Sequence, residues 1–329
     1  MNNEQIVLAK RPRGMVQVTD MARHTARLPD LPDGQILVQN RFLSLDPAIR
    51  YWLNEGMTYI RGVELGEPVR CFAAGEVITS RHPGFAVGDW VTGLFGAQQY
   101  AHSDGVDVVR CDPANGSLSL HLGVLGMPGM TAYFGLLDKG RPQHGEVVFV
   151  SAAAGVVGTA VGQIARIRGC RVIGCAGNDE KCRYLIESGF HAAFNYKTES
   201  TDSALKRLAP GGVHIYFDNV GGDMLDAALL NLARGARVVV CGALSQYNEA
   251  IYAGPKNYMK ILTARGLLTG LIVFDYVADW PLAVREIAGW LRAGQISTHE
   301  VIETGLASFP QALVKLYQGA AHGKLLVAV

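Results

Sequence analysis

The sequence predicts an α/β protein, with a doubly wound parallel sheet in the later part of the chain and a small all-β module before it. Three observations carry this. Residues Val147 to Gly158 read VVFVSAAAGVVG, an apolar β-branched run that breaks into small residues as a helical pattern opens. From there to Arg292, short apolar runs alternate with amphipathic helical ones, the pattern that builds parallel βαβ units. The first 120 residues follow another grammar, of short alternating segments cut by Pro and Gly.

In the leading module, Gln35 to Phe42 and Gly75 to Thr79 read as strands, and Ala86 to Gly93 (AVGDWVTG) sets a Gly-Asp turn inside apolar strands. The run that opens the later part is apolar throughout, as a strand buried on both faces of a parallel sheet must be. Gly155 lets the backbone approach an anion. Gly158 lets the next helix pack closely and offer its N–H groups and positive dipole end. The first place of the usual G-x-G-x-x-G holds Ala153, and glycine turns between strand and helix also serve plain packing, so the motif alone leaves both readings open.

Thr159 to Arg168 continues as a helix and Gly169 supplies its C-terminal cap. Cys170 to Gly177 (CRVIGCAG) is a second buried strand, and a third ends in Asn195, Tyr196 and Lys197. Val213 to Val220 is a strand that ends in Asp218 and Asn219, Asp223 to Ala233 a helix, and Ala236 to Leu244 another strand. Gly266 to Tyr276 gives a sixth strand and Pro281 to Arg292 a helix. Lys324 to Val329 lies too far along to be assigned to this sheet by pattern, and a return to the first module is expected.

Ligands of a doubly wound sheet lie beyond the carboxyl ends of its strands, so Asn219, Gly242, Ser245 and Tyr247 are expected to face a cofactor. About 20 residues past the glycines, a carboxylate would bond the ribose hydroxyls of NAD and repel the 2′-phosphate of NADP. That position is Gly177, followed by Asn178, Asp179 and Lys181. A missing acid with a lysine one turn on fits an extra phosphate, a charge-assisted contact worth roughly 1.5–3 kcal/mol. An ordinary solvated helix lysine explains Lys181 equally well.

Composition excludes several classes. With 49% hydrophobic residues, 39 glycines and 329 residues, the chain suits a soluble α/β enzyme of two domains. A net charge of +1 leaves no electrostatic footprint for nucleic acid. The opening MNNEQIVLAKRPRG holds no apolar signal core, so a cytoplasmic location is expected. No charge occurs between Glu146 and Arg166, nearly the roughly 20 residues of a membrane helix, but its glycines and central turn read as strand, turn and helix. No membrane partner is expected. The six cysteines form no C-x-x-C pair and read as core thiols.

Several longer segments then point one way: LSLDPAIR (Leu43 to Arg50), LGMPGMTAY (Leu125 to Tyr133), DEKCRYL (Asp179 to Leu185), FNYK (Phe194 to Lys197), FDNVGG (Phe217 to Gly222) and CGALSQYN (Cys241 to Asn248). With A-x-x-G-x-x-G in a late-starting dinucleotide domain, the chain resembles the zinc-independent branch of the medium-chain dehydrogenase/reductases that holds leukotriene B4 dehydrogenase, prostaglandin reductase and curcumin reductase. The resemblance implies a GroES-like catalytic domain (1–122 and 300–329), a Rossmann domain (123–299), NADPH as cofactor and a homodimer. It implies reduction of the carbon–carbon double bond of an α,β-unsaturated ketone or aldehyde.

Carried over residue by residue, Gly155, Val156 and Val157 lie against the pyrophosphate, with Gly177, Lys181 and Tyr196 at the 2′-phosphate. Asn219 holds the nicotinamide ribose side and Phe274 lines the nicotinamide, and Cys241, Gly242 and Ser245 are counted with them as cofactor-binding. Tyr247 matches the tyrosine near the nicotinamide ribose and the substrate carbonyl, and Tyr59 falls in a loop where relatives place a substrate-facing tyrosine. The chain departs from the family's G-x-N-x-G-K ending, since Ala321 replaces the cofactor-contacting asparagine; whether His322 substitutes is left open. Zinc is not expected: Leu65 to Gly75 (LGEPVRCFAAG) lacks the G-H-E histidine, and none of the nine histidines forms an H-x-x-x-H pair.

Hydride addition to the β-carbon of an enone leaves an enolate oxygen that needs a donor. The phenol of Tyr247, neutral at pH 7, supplies one together with the cofactor ribose hydroxyl. Protonation of the α-carbon falls to solvent or a tyrosine. Quinone reduction on the same scaffold and a non-enzymatic NADPH-binding role stand as alternatives.

Overall fold

The computed structural model describes residues 1–56, 59–249, 253–320 and 322–329. The chain divides into two compact units, one of Met1–Gly123 with Glu300–Val329 and the other of Val124–His299.

The first unit opens with β1 (Asn2–Leu8) and β2 (Met21–Arg27), an antiparallel pair, followed by β3 (Ile36–Ser44) and the short helix α1 (Ala48–Trp52). Then come β4 (Ala73–Ser80), β5 (Trp90–Gly93), β6 (Tyr100–Ser103) and β7 (Val109–Arg110). Ala86 to Asp89 forms a turn rather than a strand: the amide of Ala86 donates to the Asp89 carboxylate (2.9 Å), and strand pairing starts only at Trp90.

The second unit begins with α2 (Met127–Phe134), which runs into a π-helical turn over Gly135–Gly140. Alternation then sets in: β8 (Val147–Val150), α3 (Val156–Ile167), β9 (Arg171–Ala176), α4 (Asp179–Glu187), β10 (Ala192–Asn195), α5 (Thr201–Leu208), β11 (Val213–Asp218), α6 (Gly222–Leu229) and β12 (Leu232–Val240). After these follow α7 (Met259–Ala264), β13 (Leu267–Gly270) and α8 (Trp280–Arg292). The strands form one parallel sheet in the order β10-β9-β8-β11-β12-β13. Its centre is dry: Val148, Phe149, Val150, Ile215, Tyr216 and Phe217 are fully buried, as a strand covered by helices on both faces requires.

The strand read over Ala236 to Leu244 ends at Val240, where pairing with β11 and β13 stops, and two further elements differ from the sequence reading. The helix of the Asp223 segment stops at Leu229, and Ala233 already belongs to β12, because the apolar run past Leu232 pairs with β11. The run from Gly266 is a strand only to Gly270. Val273–Asp279 turns into a 3-10 helix, held by a hydrogen bond from Tyr276 to Asp138 (2.5 Å) and by Tyr276 stacking on Phe134 at 4.5 Å. Phe274 therefore stands on a helical turn, half-buried, and not on a strand.

The chain then returns to the first unit through β14 (Glu300–Thr304), α9 (Phe309–Tyr317) and β15 (Lys324–Ala328). β15 pairs antiparallel with β3, completing a sheet in the order β14-β15-β3-β4-β5-β7, so the terminal strand does come home to the first module.

Candidate cofactor and active site

At the head of α3, glycine is required at one position and useful at another. A Cβ on Gly158 would lie 2.6 Å from the Ala153 Cα, so only glycine lets α3 press onto the turn after β8. A Cβ on Gly155 would meet nothing nearer than the Ala152 carbonyl at 3.6 Å, which leaves open space over the helix N-terminus. Gly155 is exposed, with Val156 and Val157 half-buried in the first helical turn, the geometry of a helix end ready for an anion. Thr159 braces the turn, its hydroxyl donating to the carbonyls of Ala153 (3.0 Å) and Gly155 (2.9 Å).

Beyond β9 and β10 lies a cationic corner. The Asn178 side chain caps α4 by accepting from the Lys181 amide (2.8 Å). The Asn195 amide donates to Asp179 (2.8 Å), while its oxygen accepts from the Lys197 amide (3.1 Å), so the end of β10 is tied to the start of α4. A Cβ on Gly177 would stand 2.9 Å from the Tyr196 hydroxyl and 3.5 Å from the Lys197 Cε. Burial and the neighbouring Lys197 hold the Lys181 ammonium below its ordinary pKa. Two adjacent ammonium groups and a phenol are a donor set for a dianionic phosphate. Lys197 was not among the expected site residues; its place at the end of a strand, beside Tyr196, was the available signal.

At the ends of β11 and β12 the loops are laced together. Asp218 Oδ1 accepts from the Tyr216 hydroxyl (2.6 Å) and the amides of Val220 (3.0 Å) and Gly221 (2.9 Å). Burial still raises its carboxyl above the usual range, and burial, helped by the Asp218 charge, pushes the Cys241 thiol up to about 12. The Asn219 side chain donates to the Ser151 carbonyl at 2.7 Å, tying β8 to β11. Amides of Cys241 (2.8 Å) and Gly242 (3.1 Å) donate to the Asp218 carbonyl, and Ser245 Oγ donates to the Val220 carbonyl at 2.6 Å. Tyr247 folds back over this floor: a Cβ on Gly242 would lie 2.9 Å from its hydroxyl and 3.4 Å from the Asn219 carbonyl. The fold thus brings Asn219, Cys241, Gly242, Ser245 and Tyr247 to one strand edge.

Tyr59 belongs to the first unit. It is 43% exposed, its ring stacks on Tyr51 at 5.9 Å, and its oxygen accepts from the indole N–H of Trp52 at 2.8 Å. Nearby, Lys324 is buried to 1% exposure and donates to Asp46 Oδ1 (2.6 Å) and the Leu45 carbonyl (3.1 Å). Cys71 is buried among these groups, with burial and Asp46 holding its thiol well above the usual range. His322 is half-buried, and Ala321 lies outside the described residues. Among the described residues, no three His, Cys, Asp or Glu side chains come together in a group able to hold a metal ion.

Comparison with known proteins agrees with this geometry. Family models described as "N-terminal domain of oxidoreductase" and "Zinc-binding dehydrogenase" match residues 4–111 and 156–289. The 2-alkenal reductase (NADP(+)-dependent) of Nicotiana tabacum is 38% identical over 100% of this chain and 98% of that protein. The chain belongs to the medium-chain dehydrogenase/reductases. Within that superfamily it sits with the branch of alkenal, curcumin and prostaglandin reductases. The NADPH-dependent curcumin reductase of Escherichia coli is 37% identical over 99% of this chain and 97% of its own length. A crystal structure of CurA from Vibrio vulnificus in complex with NADPH superposes with a TM-score of 0.93, at 37% identity, covering 99% of both chains. In this reductase the second family model's zinc-binding description finds no matching donor group among the described residues.

Proposed function

We propose that the protein reduces the carbon–carbon double bond of α,β-unsaturated ketones and aldehydes with NADPH. The observation that carries this is the cationic corner of Lys181, Lys197 and Tyr196 around Gly177, where an acid would exclude a 2′-phosphate, together with membership of the reductase branch. The second unit is read as the cofactor domain. Gly155, Val156 and Val157 would hold the pyrophosphate, Lys181, Tyr196 and Lys197 the 2′-phosphate, and Asn219, Cys241, Gly242, Ser245 and Phe274 the nicotinamide end. NADPH supplies, when bound, the hydride that adds to the β-carbon.

Tyr247 is assigned the developing enolate oxygen, to which its phenol would donate a hydrogen bond. Tyr59 is assigned to the substrate side. The described thiols whose pKa departs from the ordinary value are all held above it, so they stay protonated and supply no nucleophile. With an alkenone and deuterium-labelled NADPH, the expected product is the saturated ketone with deuterium at the β-carbon. Tyr247→Phe should lower kcat about 10-fold, short of the 10²-fold or larger loss of a lone oxyanion donor, because a ribose hydroxyl of the bound cofactor would remain as a second donor. An allylic alcohol, or turnover confined to quinones, would overturn the reaction, and an unimpaired Tyr247→Phe enzyme the role.

A homodimer is read from the edge strand β13. Leu267 and Leu268 are successive and both exposed, which presents apolar side chains on opposite faces of an unpaired sheet edge, and exposed Leu262 and Met259 on α7 extend the apolar surface. Light scattering should give twice the 35.4 kDa chain mass. Leu268→Arg should shift it towards the monomer; a monomeric parent refutes the reading. A cytoplasmic location is read from the six free cysteines, which suit a reducing compartment.

A further inference from the structure

The parallel sheet of the second unit is built outward from its middle in two directions: β8, β9 and β10 follow one another toward one edge, and β11, β12 and β13 toward the other. The order therefore reverses between β8 and β11, and an open α/β sheet takes its ligand beyond the carboxyl ends of the strands at such a switch point. Ser151, just past β8, and Asp218, the last residue of β11, meet there, both fully buried. On one side of them lie the head of α3 and the cationic corner of Lys181 and Lys197, read as the places of the pyrophosphate and the 2′-phosphate. The nicotinamide end of a dinucleotide is left the other side, over β11 and β12.

Asp218 lies under that side as a buried acid. Its Oδ1 accepts from the Tyr216 hydroxyl (2.6 Å), the amides of Gly221 (2.9 Å) and Val220 (3.0 Å) and the Ser151 hydroxyl (3.3 Å), whereas its Oδ2 is buried with no hydrogen-bond partner. The helix α6 starts at Gly222, so its positive end adds to these donors. All of these are dipoles. Burial raises the carboxyl, hydrogen bonds from Gly221, Tyr216, Val220 and Ser151 lower it, and no lysine, arginine or histidine charge among the described residues acts on it. Its own charge reaches Cys241, which follows β12, gives its amide to the Asp218 carbonyl (2.8 Å) and has its thiol pushed up by burial with help from that charge.

Resting on the reading of the second unit as an NADPH domain, we infer that Asp218 supplies the fixed negative charge that favours the oxidised, cationic nicotinamide over the reduced, neutral one. The hydride that joins the substrate β-carbon takes both electrons of its C–H bond with it, so a neutral dihydronicotinamide becomes a pyridinium cation while the substrate becomes the enolate. A carboxylate that no protein cation neutralises stabilises that positive charge, and its fixed donors mean that nothing has to reorganise as the charge appears. Asp218 acts through space and through the loop it holds, without touching the ring. The site is thereby biased toward NADP+.

Calorimetric titration with NADP+ and with NADPH, in the parent and in Asp218→Asn, tests this without turnover. The amide keeps the shape of the side chain and an oxygen for the four donors, and removes the charge. NADP+ should bind the variant about 10-fold more weakly, the scale of one charge acting on another through protein, while NADPH binds nearly as before. Asp218→Ser, which keeps an acceptor for the amides at the head of α6, should shift the ratio of the two affinities by the same amount, since the two variants share the loss of the charge. Circular dichroism checks that each variant folds. If the buried amide keeps Asp218→Asn from folding, Asp218→Ser decides. An equal loss for both forms would reduce Asp218 to a clamp on its loop and overturn the inference, as would affinities that do not change for either form. A parent that binds neither NADP+ nor NADPH would instead overturn the reading on which it rests.

Discussion

Lys324 in the first unit and Lys181 in the second are both drawn out of bulk water, and the fold treats their charges in opposite ways. Lys324 is 1% exposed, with the Asp46 carboxylate at 2.6 Å and a backbone carbonyl at 3.1 Å completing its surroundings. Lys181 is half-buried with the ammonium of Lys197 for a neighbour, so its own charge is disfavoured. A cation matched inside the protein serves the fold. Two cations brought together serve an anion that arrives between them, since a phosphate relieves the repulsion between them.

Breaking the first arrangement should have the largest effect. Lys324→Met leaves the Asp46 carboxylate buried and uncompensated, a loss of about 3–5 kcal/mol by urea denaturation, and adding Asp46→Leu should recover most of it. A single-variant loss below about 1 kcal/mol would show that the pair is not closed. Breaking the second arrangement should spare stability and strike the cofactor. Lys181→Ala should lower kcat/KM for NADPH about 10-fold, near 1.4 kcal/mol, while NADH is nearly untouched and the unfolding midpoint holds. An equal loss for both cofactors would deny the 2′-phosphate its place.

The smallest effect sharpens the comparison through pH. Lys181 is protonated below its own lowered pKa and loses its charge as pH rises through that value, before an ordinary lysine at 10.5 would. The ratio of NADPH to NADH kcat/KM should therefore decline on the alkaline side of neutrality. In Lys181→Arg, which keeps its charge at every accessible pH, the decline should vanish. A ratio independent of pH in the parent would mean that Lys181 does not meet the phosphate.

Local chemistry made the second arrangement readable in advance. Gly155, Gly158, Gly177 and Lys181 lie within one short stretch from β8 through α3 and β9 to the start of α4, and their proposed roles follow from spacing along it. Lys197 escaped because its nearness to Gly177 depends on Asn195 clamping the end of β10 to α4, a contact across two elements. Phe274 was expected on a strand because an apolar run does not tell strand from helical turn; the hydrogen bond from Tyr276 to Asp138 decided it.

By itself the sequence determined the order of the elements, the doubly wound sheet, the glycine turn at the head of α3 and the absence of an acid at Gly177. Each is a property of periodicity or of a backbone that only glycine allows. Tertiary structure alone decided the pairing of Lys324 with Asp46, the seat of Tyr247 over Gly242 and the hydrogen bond from Trp52 to Tyr59. These depend on where a side chain's polar atom ends up, and that position is set by packing from elements distant in the chain. Residues 46 and 324 meet only because β15 returns to β3.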